Sequence, residues 1–411
     1  MTPSINPASP EHAKDLLCGR DMICFSHDWG GDPLSKTHLM RLLARDNRIL
    51  WVNSIGYRAP TACKRDISRA FRKIAAAAFP LQEPERNIHV LSPLAIPAYG
   101  RPGVRAFNRW FLRQQVRRAM SRLAFQRPIS WVFNPAAALV AGSVGEDRVI
   151  YYCVDEYSAL SGVPGDALSS MERDLLARAD LVIASSEGLY RSKRPFNQNT
   201  FLVRHGVDWR HFRTALDSKL AVPPEIAKLP RPLIGYFGLI GADWIDLDLL
   251  VHVAKSLPRA SMVMLGKVTM DVSRLQKLPN VHLLGRKPYA TLPAYCKGFD
   301  AAIIPFPINQ ATLHANPLKA REYLAAGLPV VSTAIPEVEV LGQCRIGTNP
   351  EHFVEQIRES LAEPGPSAAR TEWVRAESWE SRLAEIKGHL RAVTVPPRIV
   401  VQTPVRLRRA A

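Results

Sequence analysis

Residues 314–333 read HANPLKAREYLAAGLPVVST, and the rest of the chain falls into order around them. Asn316 is a favourable N-cap, and Pro317 suits a first helical position, where its missing N–H would have no partner anyway. Gly327 can close the helix in the left-handed conformation, and Leu328-Pro329-Val330-Val331 then predicts a strand. A helix that starts so abruptly presents unpaired N–H groups and the positive end of its dipole, which together suit a phosphate. Lys319 in the first turn adds a full charge. Glu322 falls one turn along the same face, spaced to accept from hydroxyls. The spacing alone leaves two readings open. One is an anion site beside a hydroxyl acceptor, and the other is a solvated surface pair worth about a few tenths of a kcal/mol.

The chain has 411 residues and is 47% hydrophobic, enough for two α/β cores. Its six cysteines, at 18, 24, 63, 153, 296 and 344, show no metal-ligand spacing, so they read as reduced thiols and favour the cytoplasm. No apolar run has the length of about 18 residues that crosses a bilayer. The N-terminus lacks the pattern of an export signal. The net charge of +17 is concentrated: residues 58–127 carry 15 Lys/Arg against 3 Asp/Glu, and residues 391–411 carry 5 Arg and no acid. Such a patch implies an acidic partner, either nucleic acid or an anionic membrane.

Short apolar runs bounded by turn residues predict buried parallel strands. In the first half they are 21–27, 48–54, 129–134, 148–153, 179–186 and 200–207; in the second, 232–238, 261–266, 281–285 and 300–306. Strand 21–27 ends in His27 and runs into Asp28-Trp29-Gly30-Gly31, a loop whose glycines allow close backbone approach. Helices are expected over 66–79 and 104–125. In the second, Phe107, Trp110, Phe111, Val116, Met120 and Leu123 recur at helical intervals among six arginines. It reads equally as a membrane-surface element and as a crossover helix. Asp155 follows a strand's carboxyl end, where sites lie in α/β folds. The Pro-rich stretch 222–232 places a hinge near 205–230.

The phrase N-P-L-K-x-x-E-Y-x-A-A-G-x-P-V-V resembles the donor-binding helix of GT-B glycosyltransferases, and more narrowly those of the family-four-like, teichuronic-acid and exopolysaccharide type. D-W-x-x-x-P-x-x-x-x-H ending at His38, Y-x-x-x-D ending at Asp155 and G-V-D-x-x-x-F at 206–212 are similar to the same group. The resemblance covers about residues 21–391. It implies a 1–20 leader, a Rossmann-like acceptor domain over 21–205 and a nucleotide-sugar domain over 206–369. A helix over 370–391 crosses back, and a basic tail over 392–411 follows. Donor binding falls to Gly238, Gly241, Lys267, Arg286, Asn316, Pro317, Leu318, Lys319 and Glu322, and the acceptor-side loop to Asp28, Gly30 and Gly31. Asp155, His27 and His38 are the catalytic candidates. The E-x7-E pattern of relatives would want an acid where His314 stands, and the Arg and Lys that relatives carry after the Gly238–Gly241 loop are missing, which puts weight on Lys319.

The implied activity is transfer from a nucleotide-diphosphate sugar, UDP- or GDP-linked, to a lipid-linked glycan, without cofactor or metal, on the inner face of the cell membrane. Two rivals are a nucleotide-sugar 2-epimerase of the same fold and a basic nucleic-acid-binding protein. The second leaves the 316–323 phrase unexplained.

Overall fold

The computed structural model describes residues 16–55, 81–96 and 101–393. The basic segment expected as a helix over 66–79, most of the leader and most of the terminal tail lie outside the described residues. Two sheets organise the rest. The first carries β1 (Asp21–Phe25), β2 (Arg48–Val52), β3 (Gln82–Glu85), β4 (Ile88–Leu91), β5 (Ile129–Val132), β6 (Arg148–Cys153), β7 (Leu181–Ala184) and β8 (Thr200–Leu202), in the order β3-β4-β2-β1-β5-β6-β7-β8. The second carries β9 (Leu233–Phe237), β10 (Ser261–Leu265), β11 (Val281–Leu283), β12 (Ala301–Ile304), β13 (Val330–Thr333) and β14 (Arg345–Gly347), in the order β11-β10-β9-β12-β13-β14. Every pairing is parallel except β3 with β4. The central strands are buried on both faces, which is why they read as unbroken apolar runs.

Four helices matter for the site: α1 (Ser35–Leu43), α2 (Pro102–Arg122), α3 (Leu318–Ala325) and α4 (Trp379–Ala392). Helix α2 departs from the stripe its sequence predicts. Its buried face is Asn108, Leu112, Val116, Ala119 and Met120, while Phe107 and Trp110 are exposed at 44% and 58%. The reason is the buried Asn108, which accepts from the Ile96 amide at 2.9 Å and donates to the Ile96 carbonyl at 2.7 Å, turning the aromatics outward.

The chain passes between the two cores twice, and both passages are short. Val203 packs in the first core and Val207 in the second, so most of the stretch 205–230, read as the hinge, is built into the second core through Phe212, Ala215 and Ile226. On the return, Val374 belongs to the second core and Trp379 to the first. The expected single helix over 370–391 is therefore broken at Ser378, which has extended backbone, pairs with Val207 and caps α4. Gly206 lies so close to this crossing that a Cβ there would sit 2.8 Å from the Trp379 amide nitrogen.

A buried polar network ties the halves together. Asn316 donates to the Ser185 carbonyl at 2.7 Å and accepts from Arg321 at 2.8 Å. Arg321 is 1% exposed and pairs with Glu377 at 3.0 Å, and Arg382 reaches the same carboxylate. Glu337 accepts from the Glu187 amide and from Arg204, both at 2.7 Å. Removing one partner of such a buried pair leaves the rest desolvated and unpaired. Arg321→Met is expected to cost about 3 kcal/mol in denaturant unfolding, and a loss below about 1 kcal/mol would show the network to be idle.

Candidate functional site

Between the two sheets lies a cavity of about 460 Å³. From the second sheet come the backbone turns at the carboxyl ends of β9 and β10, which nearly touch. Gly238 has φ +143 and Gly266 φ +157, and a Cβ on Gly266 would fall 1.7 Å from the Gly238 carbonyl oxygen. Only glycine permits this approach, so the cavity floor is bare backbone. Lys319 and Glu322 of α3 form one wall, while His27, Asp32, Pro33 and Leu34 of the first half form the facing one.

Helix α3 starts one residue later than its sequence suggests, with Pro317 rather than Asn316 as the cap residue, because the Asn316 side chain is taken by Ser185 and Arg321. Its other end is as read. Gly327 has φ +82, and a Cβ there would meet the Ser367 amide nitrogen at 2.6 Å. Lys319 and Glu322 are no solvated pair: Glu322 is 8% exposed, and the Lys319 ammonium lies over the rings of Phe306 at 4.7 Å and Tyr236 at 5.6 Å. Burial pulls the lysine's pKa down and pushes the glutamate's up, and each partly offsets the other. An anionic ligand beside Lys319 would offset the lysine's desolvation.

A smaller cavity of about 200 Å³ adjoins the first, sharing Leu34, Leu239, Leu318 and Lys319 with it. Asp155 lines it, with its carboxyl pushed up to about 6 by burial against the opposing pull of Lys36. His27 lines the larger cavity, but burial, and after it the Lys36 charge, lower its pKa to about 3. It is therefore a neutral hydrogen-bonding group and a poor base. His38 lines neither cavity; it stacks on Trp379 at 5.5 Å and is likewise lowered to about 3, chiefly by burial. His314 stands outside both cavities too, against Gly188 and Ser186 of the first half.

Of the other expected residues, Lys267 and Arg286 line the larger cavity, and Arg286 pairs with Asp32 across the cleft at 2.7 Å. Gly241 underlies the loop, where a Cβ would press on Thr269. In the first half, Asp28 accepts from the Ser54 amide, Gly30 takes φ +91 and Gly31 packs near His27. Sequence reasoning missed Lys36, His205 and Tyr289. Among the described residues, the Tyr289 hydroxyl is buried in the larger cavity's wall without a partner, and so is His205 Nδ1 in the smaller one's. A signal for Lys36 was present: Pro33-Leu34-Ser35-Lys36 opens α1 much as Pro317-Leu318-Lys319 opens α3. Among the described residues no group of three His, Cys, Asp or Glu is placed to hold a metal.

Comparison with known proteins agrees with this geometry. A sequence profile described as Glycosyl transferases group 1 matches residues 231–363, the half that contains α3 and the glycine floor. TuaH of Bacillus subtilis (strain 168), provisionally named a teichuronic acid biosynthesis glycosyltransferase, is 26% identical over 289 residues, covering 64% of this chain and 71% of that one. In fold, the chain is similar to sucrose-phosphate synthase from Thermosynechococcus elongatus, with TM-score 0.66 and 14% identity over 91% of this chain and 98% of that one. It is also similar to Anabaena Alr3699/HepE in complex with UDP, with TM-score 0.61 and 13% identity over 91% of this chain and all of that one.

Proposed function

We propose that the chain, which has the GT-B fold and carries a segment matching group 1 glycosyl transferases, acts as a glycosyltransferase that moves a sugar from a nucleotide-diphosphate donor to a lipid-linked glycan at an anionic membrane face. The observation that carries the donor half is the pairing of Lys319 and Glu322 on one face of α3, desolvated and turned into the larger cavity above a glycine floor. The diphosphate lies against the α3 amides and Lys319, and Glu322 accepts from the ribose hydroxyls. UDP in the similar Anabaena structure supports this choice of ligand class.

The sugar then extends into the smaller cavity beside Asp155. An acceptor oxygen forms its bond to the anomeric carbon as the bond from that carbon to the diphosphate breaks. The leaving electron pair goes to the diphosphate, where Lys319 and the helix dipole stabilise it without a metal. The acceptor's proton goes to Asp155, whose raised pKa suits a general base.

The membrane half rests on α2. Asn108 ties its N-terminal part to Ile96, and Phe107 and Trp110 stand exposed with the half-buried Phe111 beside them. Their rings cluster within about 6 Å of one another among Arg105, Arg109 and Arg113. Exposed aromatics in a basic setting suit an anionic bilayer surface. Among the described residues no helix is long and apolar enough to cross a membrane.

Three outcomes follow. In calorimetric titration with UDP or GDP, Lys319→Ala raises Kd about ten- to hundredfold and Glu322→Gln weakens binding too; unchanged affinity in both would remove α3 from the donor site. Asp155→Asn lowers turnover by about two orders of magnitude. The wild-type rate falls away on the acid side of about pH 6, where the carboxyl takes up a proton, and a rate flat from pH 5 to 8 would rule Asp155 out as the base. Vesicles rich in anionic lipid retain the protein in flotation at low salt, and Phe107→Ser with Trp110→Ser releases it; equal recovery on neutral vesicles would contradict the membrane half.

A further inference from the structure

The smaller cavity holds more positive character than a neutral sugar requires. Helix α1 begins at its edge, and Thr37 and His38 are its first amides to bond back into the helix, leaving those of Ser35 and Lys36 ahead of them. No acidic residue stands in the first turn, and the Thr37 hydroxyl oxygen accepts from the Leu34 amide at 3.3 Å rather than from those of Ser35 and Lys36. Lys36 lines the same cavity, desolvated enough to pull its pKa down, and among the described residues no carboxylate pairs with its ammonium. Asp155 influences Lys36 electrostatically without forming an ion pair with it. His205 adds an independent sign of a missing ligand: it is 5% exposed, it lines the cavity, and among the described residues its Nδ1 has no partner.

The cleft thus presents two helix starts with a lysine on each. Lys319 on α3 serves the donor diphosphate; Lys36 on α1 has no such assignment. Resting on the donor reading above, we infer that the α1 start, Lys36 and His205 form a second oxyanion subsite, and that the substrate portion in the smaller cavity carries a carboxylate or phosphate. Two sources supply that chemistry: a uronic acid as the transferred sugar, or a phosphate on the acceptor. Each would accept from the two α1 amides and the Lys36 ammonium, as anions do at helix N-termini. His205, held neutral by burial and by neighbouring cations, can donate from Nδ1.

The test is calorimetry on the full chain with UDP, UDP-glucose, UDP-glucuronic acid and inorganic phosphate, the last titrated with and without UDP. If the donor supplies the anion, UDP-glucuronic acid binds about tenfold or more tighter than UDP-glucose. If the acceptor supplies it, the two nucleotide sugars bind alike and phosphate binds both free and UDP-loaded protein. Lys36→Met removes whichever preference exists, Lys36→Arg restores it, and UDP affinity stays within about twofold in both. Absence of a uronate preference and of phosphate binding in the wild type overturns the inference. So does a Lys36→Met variant that keeps both and only moves the pH dependence of turnover, because Lys36 would then serve solely to set Asp155. A wild type that fails to bind UDP or GDP overturns the donor reading instead, and the phosphate titration of free protein still decides the Lys36 subsite.

Discussion

A half-buried lysine ammonium at the first turn of α3, with a buried glutamate one turn away, is the constraint on which the rest depends. Isolated, each group would be costly to bury. The structure tolerates them because the ammonium rests on the faces of Phe306 and Tyr236 and the two charges oppose each other's shift. That leaves a site poised for an anion, and the glycine floor of Gly238 and Gly266 gives that anion room. The Asn316–Arg321–Glu377 network fixes the start of α3 against the first half, so the cleft's two walls keep their spacing.

Much of this was legible in the sequence because it was written in local rules. Central strands buried on both faces appear as apolar runs, and Gly327 had to close α3 because a Cβ there meets Ser367. What the sequence hid was non-local. Asn316 has the chemistry of a cap, but it serves a bond across the domain boundary, which no spacing reveals. Strand β3 was missed because Gln82–Glu85 is polar and mostly exposed, an edge strand without an apolar signature, and β4 is a four-residue strand in which buried Ile88 and Val90 alternate with half-buried His89 and Leu91. In α2, periodicity found the aromatic residues but left open whether they face a bilayer or the sheet, because the buried side is set by Asn108 and its bonds to Ile96.

The candidate site divided in the same way. Lys319 and Glu322 could be read from a helix start, since the helix itself sets their spacing. Lys36, His205 and Tyr289 come together only when two sheets face each other, and their buried or unpaired atoms have no counterpart in a sequence pattern. His27 and His38 show what a sequence pattern leaves out: histidine invites a catalytic reading, and the burial that lowers the pKa of both is set by the fold.

A crystal structure of the protein with UDP or GDP tests the central claim most directly. The account predicts the diphosphate against the amides that open α3, within hydrogen-bond reach of the Lys319 ammonium, with a ribose hydroxyl on Glu322. A nucleotide bound elsewhere, or one whose diphosphate leaves Lys319 and the α3 start untouched, would contradict it.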